Sequence, residues 1–566
     1  GHINGNDNIQ SNHFQREVFE SEVFPTRQLP NGTPNNIRMF DMAFYPTERG
    51  PYNYDVEGGT YSAGQNANGE LRDPESRWGG IMRSIESSDF EAANIEFIQF
   101  WLMDPFNEDY IDPETVNGEL IFNLGNISED ILRDGYKSFE NSLPTTAAAS
   151  ADLTNDTLSQ WGRVVLTQAI VNAFDLNNES REFQDVGLDG LSDEEERIFF
   201  QESFIDRLEN TFGTGSQAYQ QGVANPSADN YNFHRDDDYD AAELNVLERY
   251  KLFNGLEGNS PTAEQSQQEN NDGFPTLANP RPNVEDITND NTLDEVESYY
   301  QYRVRINPNQ MVVGQNHITN VLNASPTVSS GDKRNIKWYQ FKIPIRDPEE
   351  IYGSISDFRA IRFMRIYVRG FEKPIYLRFA RLELLRGEWR RYDRSLDVGN
   401  EILETEDETE FNIIAVNIEE NSRKTPVNYV LPPDIAREIN IGTTNLQQLN
   451  EQSLGVQVCN LEDGKAKAAY RNLDLDVRMY RKLKMFIHAE EANEIPLNNG
   501  DLRAFIRLGT DFDENYYEYE IPLQVTLPGN YDGENEDAQR QVWPDANSIE
   551  IVFSKLKEAK LRRNSA

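Results

Sequence analysis

The densest run of apolar residues in the chain lies between Ile95 and Met103, and both alternating sets of positions in it are apolar. A strand buried on one face alternates apolar with polar residues, whereas apolar residues in both sets are typical of a strand covered on both sides. The run ends at Asp104-Pro105, which is a turn signal. After an acidic loop, residues 118–125 (GELIFNLG) have a second strand-like pattern. The pattern therefore predicts two buried strands between residues 95 and 125.

A similar layout of two strand-like segments recurs twice further along the chain. The second copy is FRAIRFMRIYVRGF (358–371) followed by 374–382, and the third is YRKLKMFIH (480–488) followed by 500–509. In the third copy apolar and polar residues alternate, which is typical of an antiparallel sheet with one solvated face. These layouts predict three related β-sandwich units, with chance similarity between aromatic strands as the alternative.

Between the first two units the apolar spacing becomes helical. Val164-Val165-Leu166, Ala169-Ile170 and Ala173-Phe174 fall at helical spacing, and residues 198–208 continue it, so residues 157–253 are predicted to be helical. Residues 144–156 and 255–290 are interpreted as linkers or long surface loops because they are low in apolar residues. The end of the chain, residues 549–563, is basic and joins a strand-like to a helix-like segment.

The predicted fold is mainly β with a helical insert. It contains several β-sandwich (jelly-roll-like) units and no transmembrane barrel in this segment, because serial amphipathic strands of about ten residues with aromatic girdles are missing. The predicted domains are a polar N-terminal stretch (1–36), β-sandwich unit 1 (37–150), a helical segment with an Asp-rich loop (151–256), a linker plus β-sandwich unit 2 (257–400), β-sandwich unit 3 (401–530) and a C-terminal basic segment (531–566). Because the chain begins with Gly1-His2 rather than Met, we expect it to be a piece of a longer protein.

Composition and charge narrow the classes of function. The 566 residues include 53 Lys and Arg against 97 Asp and Glu, which gives a formal net charge of −44. Such a field repels nucleic acid and anionic lipid, so binding to either is disfavoured. Only 37% of residues are hydrophobic, which favours disorder, but 11% are aromatic, which favours folded domains joined by polar loops. The single cysteine, Cys459, excludes an internal disulfide and a cysteine-based zinc cage.

The sharpest chemical signal is the acidic segment DVGLDGLSDEEE, residues 185–196. Oxygen ligands spaced around a glycine allow a short loop to wrap a hard cation. The candidate ligands for a structural calcium ion are Asp185, Asp189, Asp193 and Glu196. The segment resembles the Asp-rich calcium loops of thrombospondin type 3 repeats and EF-hand-like modules, but Gly187 stands where a ligand is usual and the EF-hand spacing is missing. The alternative is an acidic helix start with Ser192 or Asp193 as N-cap.

Other candidate sites give weaker signals. The four carboxylates within residues 236–240 are more typical of a solvated loop than of a cation site. The ten arginines between Arg359 and Arg394 could meet an anionic ligand, but we expect them mostly to pair with acids of this chain across strands. Trp101 is predicted to be core, whereas other aromatic residues are candidates for stacking on sugars: Trp78, Trp338, Trp389, Tyr516 and Tyr517.

No sequence motif indicates catalysis. The five histidines are scattered without metal-ligand spacing, and the chain has no HExxH, GxSxG or P-loop motif. A carboxylate pair like that of a glycosidase would have 97 acids to come from, so no particular pair is favoured. The sequence therefore predicts a protein that is not an enzyme.

Several long segments together resemble the SprA/Sov family, the giant gliding-motility and secretion protein of Bacteroidetes. They are MFDMAFYPTERGPYNYD, NIEFIQFWLMDPFNEDY, GELIFNLGNISEDILRDG followed by KSFENSLP, DVGLDGLSDEEE, WYQFKIPI, FRAIRFMRIYVRGF and RFARLELLRGEWRRY. The resemblance covers roughly residues 36–561. It implies an outer-membrane translocon of the type IX secretion system, built around a very large β-barrel through which folded cargo passes to the cell surface.

The resemblance also sets expectations for place and partners. We expect a soluble region of that translocon, the extracellular cap over its pore, with periplasmic placement as the alternative. The implied partners are the rest of the parent β-barrel, a porin-like lateral partner, a periplasmic plug protein and the exported proteins. No cofactor other than calcium is expected. The alternative function is a cell-surface adhesin, in which β-sandwich modules form a glycan-binding array.

Overall fold

In the computed structural model, ten strands between residues 39 and 386 pair into two five-stranded antiparallel sheets. The residues described are all except 1–2, 4, 28, 30–34, 60–61, 111–115, 133–134, 137–142, 153, 167–174, 185–186, 231–233, 235–236, 252–262, 265–284, 393–395, 397–408, 441–446, 474–478, 492–495, 513 and 566. The strands of these two sheets are β1 (Met39–Phe44), β2 (Trp78–Ser84), β3 (Ile95–Met103), β4 (Gly118–Asn126), β7 (Ser298–Ile306), β8 (Ile318–Ala324), β9 (Ile336–Pro344), β10 (Glu350–Tyr352), β11 (Phe363–Arg369) and β12 (Ile375–Arg386).

The two sheets face each other and form one β-sandwich. Sheet A has the order β1-β12-β3-β9-β8, and sheet B has the order β10-β7-β4-β11-β2. Their inner faces share one hydrophobic cluster, in which Phe100 of sheet A stacks on Phe122 of sheet B with ring centroids 5.5 Å apart. Each fully buried Phe contributes about 1.5–3 kcal/mol by leaving water, so this cluster is the main source of cohesion.

The mainly β fold is confirmed, but the predicted division into sandwich units 1 and 2 is wrong. Both sheets contain strands from residues 37–150 and strands from residues 257–400, so neither range forms a sandwich alone. The central strand β3 pairs with β12 and β9, with Ala380 and Gln340 both opposite Trp101. Strand order depends on pairings between distant segments, and a local apolar pattern carries no information about them.

An N-terminal strap, residues 7–27, covers the outer face of sheet A. The strap contains helices α1 (Asp7–Ser11) and α2 (Glu20–Val23), and its apolar residues Val18, Val23 and Phe24 pack on Trp101 and Trp338. The predicted burial of β3 on both faces is therefore confirmed, and so is Trp101 as a core residue. The stretch 1–36, predicted as polar, contains the residues that close the second face.

Buried charge fixes the strap in place. Arg16 and Glu22 form a buried salt bridge with an N–O distance of 2.6 Å, and the Trp338 Nε1 donates to Glu22 at 3.0 Å. His13 is fully buried, and burial together with the nearby Arg16 lowers its pKa to about 4. Since a buried ion pair needs both partners, removing one of them leaves an uncompensated charge. These contacts define one docked position for the strap.

The helical insert lies between β4 and β7, which are neighbours in sheet B. It contains helix α3, then the short strands β5 (Asp156–Leu158) and β6 (Arg163–Val165), then helices α4 to α9. The helix bounds are α3 (Ala147–Ser150), α4 (Asn178–Gln184), α5 (Asp193–Phe199), α6 (Asp206–Phe212), α7 (Gln217–Ala224), α8 (Asp237–Ala241) and α9 (Val246–Lys251). A π-helical turn, Gln201–Ile205, joins α5 to α6.

The predictions for this insert have mixed outcomes. The helical pattern of residues 198–208 is confirmed, but Val164 and Val165 lie in a hairpin strand instead of a helix. Thr157 pairs opposite Val164, and β-branched residues suit that pairing as well as a helix face. The other predicted helical residues, Ala169 to Phe174, lie outside the described residues.

Short two-stranded sheets make up the C-terminal third. Their strands are β13 (Arg390–Tyr392), β14 (Glu410–Asn417), β15 (Ile439–Asn440), β16 (Gln447–Gln448), β17 (Gln452–Cys459), β18 (Ala468–Tyr470), β19 (Lys482–Met485), β20 (Arg503–Gly509), β21 (Tyr516–Pro522) and β22 (Ile549–Val552). The helices are α10 (Ile418–Asn421), α11 (Glu536–Val542) and α12 (Phe553–Ser565). The strand-then-helix pattern predicted for the C-terminal end is thus confirmed.

The predicted third sandwich unit differs in its pairing. Strand β19 pairs with β22 and β20 pairs with β21, so the two predicted neighbours do not share a sheet. Their apolar faces nevertheless meet in one cluster: Leu483 and Ile506 pack against a buried group that includes Ile549. None of the helices among the described residues combines the length and apolar character needed to cross a bilayer.

Candidate functional site

The acidic segment predicted as a calcium loop forms a tight turn followed by a helix start. Gly190 has φ of +71°, a backbone conformation that suits glycine, and Ser192 caps α5 in a capping box with Glu195. The alternative interpretation as an acidic helix start is therefore correct. It does not exclude a cation site, because Glu196 in the first turn of α5 is directed into the protein and buried.

Three buried carboxylates meet beneath this turn. Each of Asp189, Glu196 and Asp229 offers an oxygen that lies within 4.8 Å of an oxygen of the other two. Asp189 comes from the turn, Glu196 from α5, and Asp229 from the segment that follows α7. We call these three residues the carboxylate cluster.

Hydroxyl and amide donors surround the cluster. The Ser227 N–H donates to Glu196 Oε2 at 3.1 Å, and the Ser227 hydroxyl donates to Asp189 Oδ2. The Tyr54 hydroxyl in turn donates to Ser227 Oγ at 2.8 Å, so a chain of hydrogen bonds connects the cluster to residues 45–55. These bonds fix the orientation of the carboxylates.

Gly187 explains a departure from the usual calcium-loop pattern. Its N–H donates to Asp229 Oδ2 at 2.9 Å, and a Cβ at this position would lie 2.0 Å from the same oxygen. The Tyr52 hydroxyl would be 2.3 Å from that Cβ. A side chain at position 187 would therefore displace Asp229, so the backbone occupies the place where a ligand residue was expected.

Burial and mutual repulsion disfavour three negative charges at this place. Burial, followed by the neighbouring Asp229, raises the pKa of Asp189 well above its usual value. Burial also raises the pKa of Glu196 to about 10 and that of Asp229 to about 6. Such a group of acids is stable when it shares protons or holds a cation.

The donor set fits a hard cation. Calcium takes six to eight oxygen ligands at about 2.3–2.6 Å, so ligands on opposite sides of the ion are about 5 Å apart. One oxygen from each of the three carboxylates lies within 4.8 Å of the others, so all three can contact one ion. Asp189, Glu196 and Asp229 could hold the ion, and the Ser227 hydroxyl lies beside them.

The structure brings together two of the four predicted ligands. Asp189 and Glu196 belong to the cluster, whereas Asp185 lies outside the described residues. Asp193 is half exposed at the start of α5, where it accepts from Asn230 Nδ2 at 3.1 Å. No local pattern indicates Asp229 as a ligand, because it lies in the segment NPSADN, where it is the only acidic residue.

Other predicted sites have ordinary environments. Described arginines of the Arg-rich band pair with acids of this chain, as expected. The N–O contacts are Arg359–Glu91, Arg362–Asp294, Arg365–Glu297, Arg369–Glu119 and Arg378–Asp41. In the second acidic cluster, Asp236 is not described, and Asp240 pairs with Arg249 at 2.5 Å. Among the candidate sugar platforms Trp338 is buried, whereas Trp78 is 71% exposed.

Architecture and sequence together define the class of this protein. It is a large, acidic, mainly β protein with a central sandwich and a helical insert. The profile of the SprA_N family, described as motility related/secretion protein, matches residues 203–566, and the chain belongs to this family. The matched range includes Asp229 and the C-terminal third but begins after Glu196. No curated protein matches the chain.

Proposed function

We propose that this chain is the extracellular cap region of the outer-membrane protein-conducting channel of the type IX secretion system. Membership of the motility and secretion family, with a match to residues 203–566, is the observation that carries the proposal. In this role the chain supports protein export and gliding motility by structural and gating action, not by catalysis. Its partners are the membrane-embedded part of the parent protein, a porin-like lateral partner, a plug protein and the exported proteins.

The architecture suits a rigid covering element. The sandwich is closed on its outer face by the strap, and α10 of the C-terminal third contacts the same face of sheet A. The Gln340 Nε2 donates to Glu420 Oε2 at 3.0 Å, and the buried Lys342 donates to the Ala415 carbonyl at 3.4 Å. A cap must resist deformation by passing cargo, and direct contacts between its parts support that resistance.

The acidic surface suits the passage of acidic proteins. With a net charge of −44, the chain repels other acidic proteins at distances up to about one Debye length, roughly 8–10 Å at physiological salt. Repulsion at this range reduces adhesion of cargo to the cap. If neutralising exposed acids leaves the export of acidic cargo unchanged, this part of the proposal is wrong.

The second candidate function is a glycan-binding adhesin. The exposed Trp78 indole favours it, since sugars stack on exposed aromatic faces. A glycan array separates the two candidates. Specific binding that is lost in Trp78→Ala favours the adhesin, whereas a channel cap needs no such binding.

Antibody labelling of whole cells tests the proposal. An antibody raised against this chain is applied to intact cells and to cells with permeabilised outer membranes, with a known surface protein and a known periplasmic protein as controls. Labelling of intact cells, together with loss of export when the region is deleted from the parent protein, is expected. Labelling that requires permeabilisation would place the region in the periplasm and overturn the cap assignment.

A further inference from the structure

A groove of about 740 Å³ opens where the sandwich meets the helical insert. Its lining includes Phe44 at the end of β1, Trp78 at the start of β2, Trp161, and Arg207 of α6. Residues 45, 46 and 48–55 also line it. Its volume lies in the range of about 300–1,000 Å³ that is usual for ligand sites, and junctions between structural units are common places for them.

The charge of the groove is opposite to that of the chain. Its lining has four basic and two acidic side chains: Arg49, Arg77, Arg207, Lys251, Glu48 and Asp55. Lys251 is neutralised by Glu48 at 2.5 Å. Arg207 is exposed and donates to the Ser203 carbonyl at 3.4 Å. Arg77 is half-buried, donates to the carbonyls of Gly64 and Arg72, and lies near Asp55 of the same lining. No described salt bridge engages either arginine, so Arg207 in particular is open to an outside anion in a protein of net charge −44.

The groove reaches an open sheet edge at Trp78 and Gly79, the first residues of β2. β2 is the last strand of sheet B, so one side of its backbone has no described partner strand. Trp78 and Ile81 project large apolar surfaces from this strand, and Arg83 is exposed on it as well. An edge strand with free N–H and C=O groups is a template for an added strand, and apolar side chains increase the affinity.

We propose that the groove and the outer edge of β2 bind an extended, acidic polypeptide segment of a partner protein. Carboxylates of the segment pair with Arg77 and Arg207, a ring or apolar side chain lies on Trp78, and the backbone adds to β2. The free sheet edge favours a polypeptide over an acidic glycan, because a glycan makes no use of a strand's backbone groups. This binding goes beyond the proposed cap function and does not depend on it.

Fluorescence anisotropy with the full 566-residue chain tests the proposal. The ligand is a fluorescein-labelled ten-residue peptide in which Glu alternates with Val and one central Tyr. The same peptide with Lys in place of Glu tests the charge requirement. A version with N-methylated backbone amides keeps the side chains and removes the donors that a new strand needs. Polygalacturonate serves as the acidic glycan.

Two exposed residues allow substitution without loss of the fold. Trp78→Ala is expected to weaken peptide binding about tenfold, as for a central aromatic contact. Arg207→Gln is expected to weaken it about threefold, because the side chain is solvated. Matched controls on other surfaces, Tyr519→Ala and Arg359→Gln, are expected to leave binding unchanged.

The expected result is micromolar binding of the acidic peptide, with slower amide hydrogen exchange in residues 78–84 on binding. The proposal is wrong if the acidic peptide does not bind at millimolar concentration. It is also wrong if the Lys peptide or the N-methylated peptide binds as tightly as the acidic peptide, or if Trp78→Ala binds the acidic peptide as tightly as Tyr519→Ala does. Binding of polygalacturonate without binding of the peptide would assign the groove to an acidic glycan instead.

Discussion

Replacing Phe24 by alanine is the sharpest test of the N-terminal strap. The Phe24 ring is fully buried, lies edge-to-face with Trp101 at 6.1 Å between centroids, and has the Arg381 guanidinium 4.3 Å above it. Truncation of a core Phe to Ala typically costs about 3–5 kcal/mol, which includes the cavity that it leaves. The aromatic contact contributes about 0.5–1.5 kcal/mol of this and the cation–π contact about 1–2 kcal/mol.

Phe19→Ala is the matched control for this substitution. Phe19 lies five positions earlier in the same strap but is 46% exposed, so its loss is expected to change the stability by less than about 0.5 kcal/mol. The two variants remove the same atoms and differ in burial. A large difference between them therefore measures the docking of the strap.

Urea unfolding followed by tryptophan fluorescence is the assay. Trp101 and Trp338 lie in the same cluster as Phe24, so their emission reports on this face of sheet A. Because the chain contains several separate hydrophobic clusters, more than one transition is expected, and the relevant one is the transition that shifts in Phe24→Ala. If Phe24→Ala shifts this transition by less than about 1 kcal/mol, or no more than Phe19→Ala does, the strap does not close sheet A.

Three further predictions concern the carboxylate cluster and a buried histidine. Calcium is expected to raise the midpoint of thermal unfolding, as a ligand of the folded state does. Asp189→Asn is expected to abolish this rise, whereas Asp193→Asn is expected to preserve it. Differential scanning calorimetry with and without a chelator measures the midpoints. Gly187→Ala is expected to destabilise the protein by about 1–3 kcal/mol, because the added carbon clashes with a buried carboxylate. Gly215→Ala is expected to change the stability little, because no heavy atom lies within 4 Å of its added carbon. Urea unfolding measures both effects. Burial lowers the pKa of His13 from the ordinary value of 6.5 to about 4, so the unfolded chain takes up a proton before the folded one. The free energy of unfolding is therefore expected to decrease as the pH falls from 6.5 towards 4. His13→Gln is expected to flatten that part of the pH profile of unfolding.

Local patterns in the sequence predict several strands of the sandwich and the burial of β3 on both faces. The two apolar faces of β3 predicted a strand covered on both sides, and Asp189 and Glu196 were identified from one short acidic segment. The sequence does not predict what covers β3, because Val18-Phe19 and Val23-Phe24 are short apolar pairs in an otherwise mostly polar stretch. A packing partner far away in the chain leaves no mark on the local pattern.

The pairing of strands and the third carboxylate depend on long-range contacts. β3 is adjacent to β12, and Asp229 reaches Glu196 only after the chain has passed through α5, α6 and α7. The apolar run at Val164 predicts a helix, but short apolar runs fit both the helix and the strand period. The secondary structure of such a run depends on its tertiary neighbours, here the opposite strand at Thr157.

The interleaved order of the sandwich strands determines how the chain can be synthesised. β3 is translated early, but its neighbours in the sheet, β9 and β12, are complete only after residues 344 and 386. Because translation proceeds at about 5–20 residues per second, β12 is completed on the order of 15–60 s after β3. An unpaired strand with two apolar faces aggregates readily, so we expect the nascent chain to be prone to aggregation during this interval. Fragments that end before β12 are accordingly expected to be insoluble, whereas a fragment that retains residues 7–386 keeps every strand of both sheets.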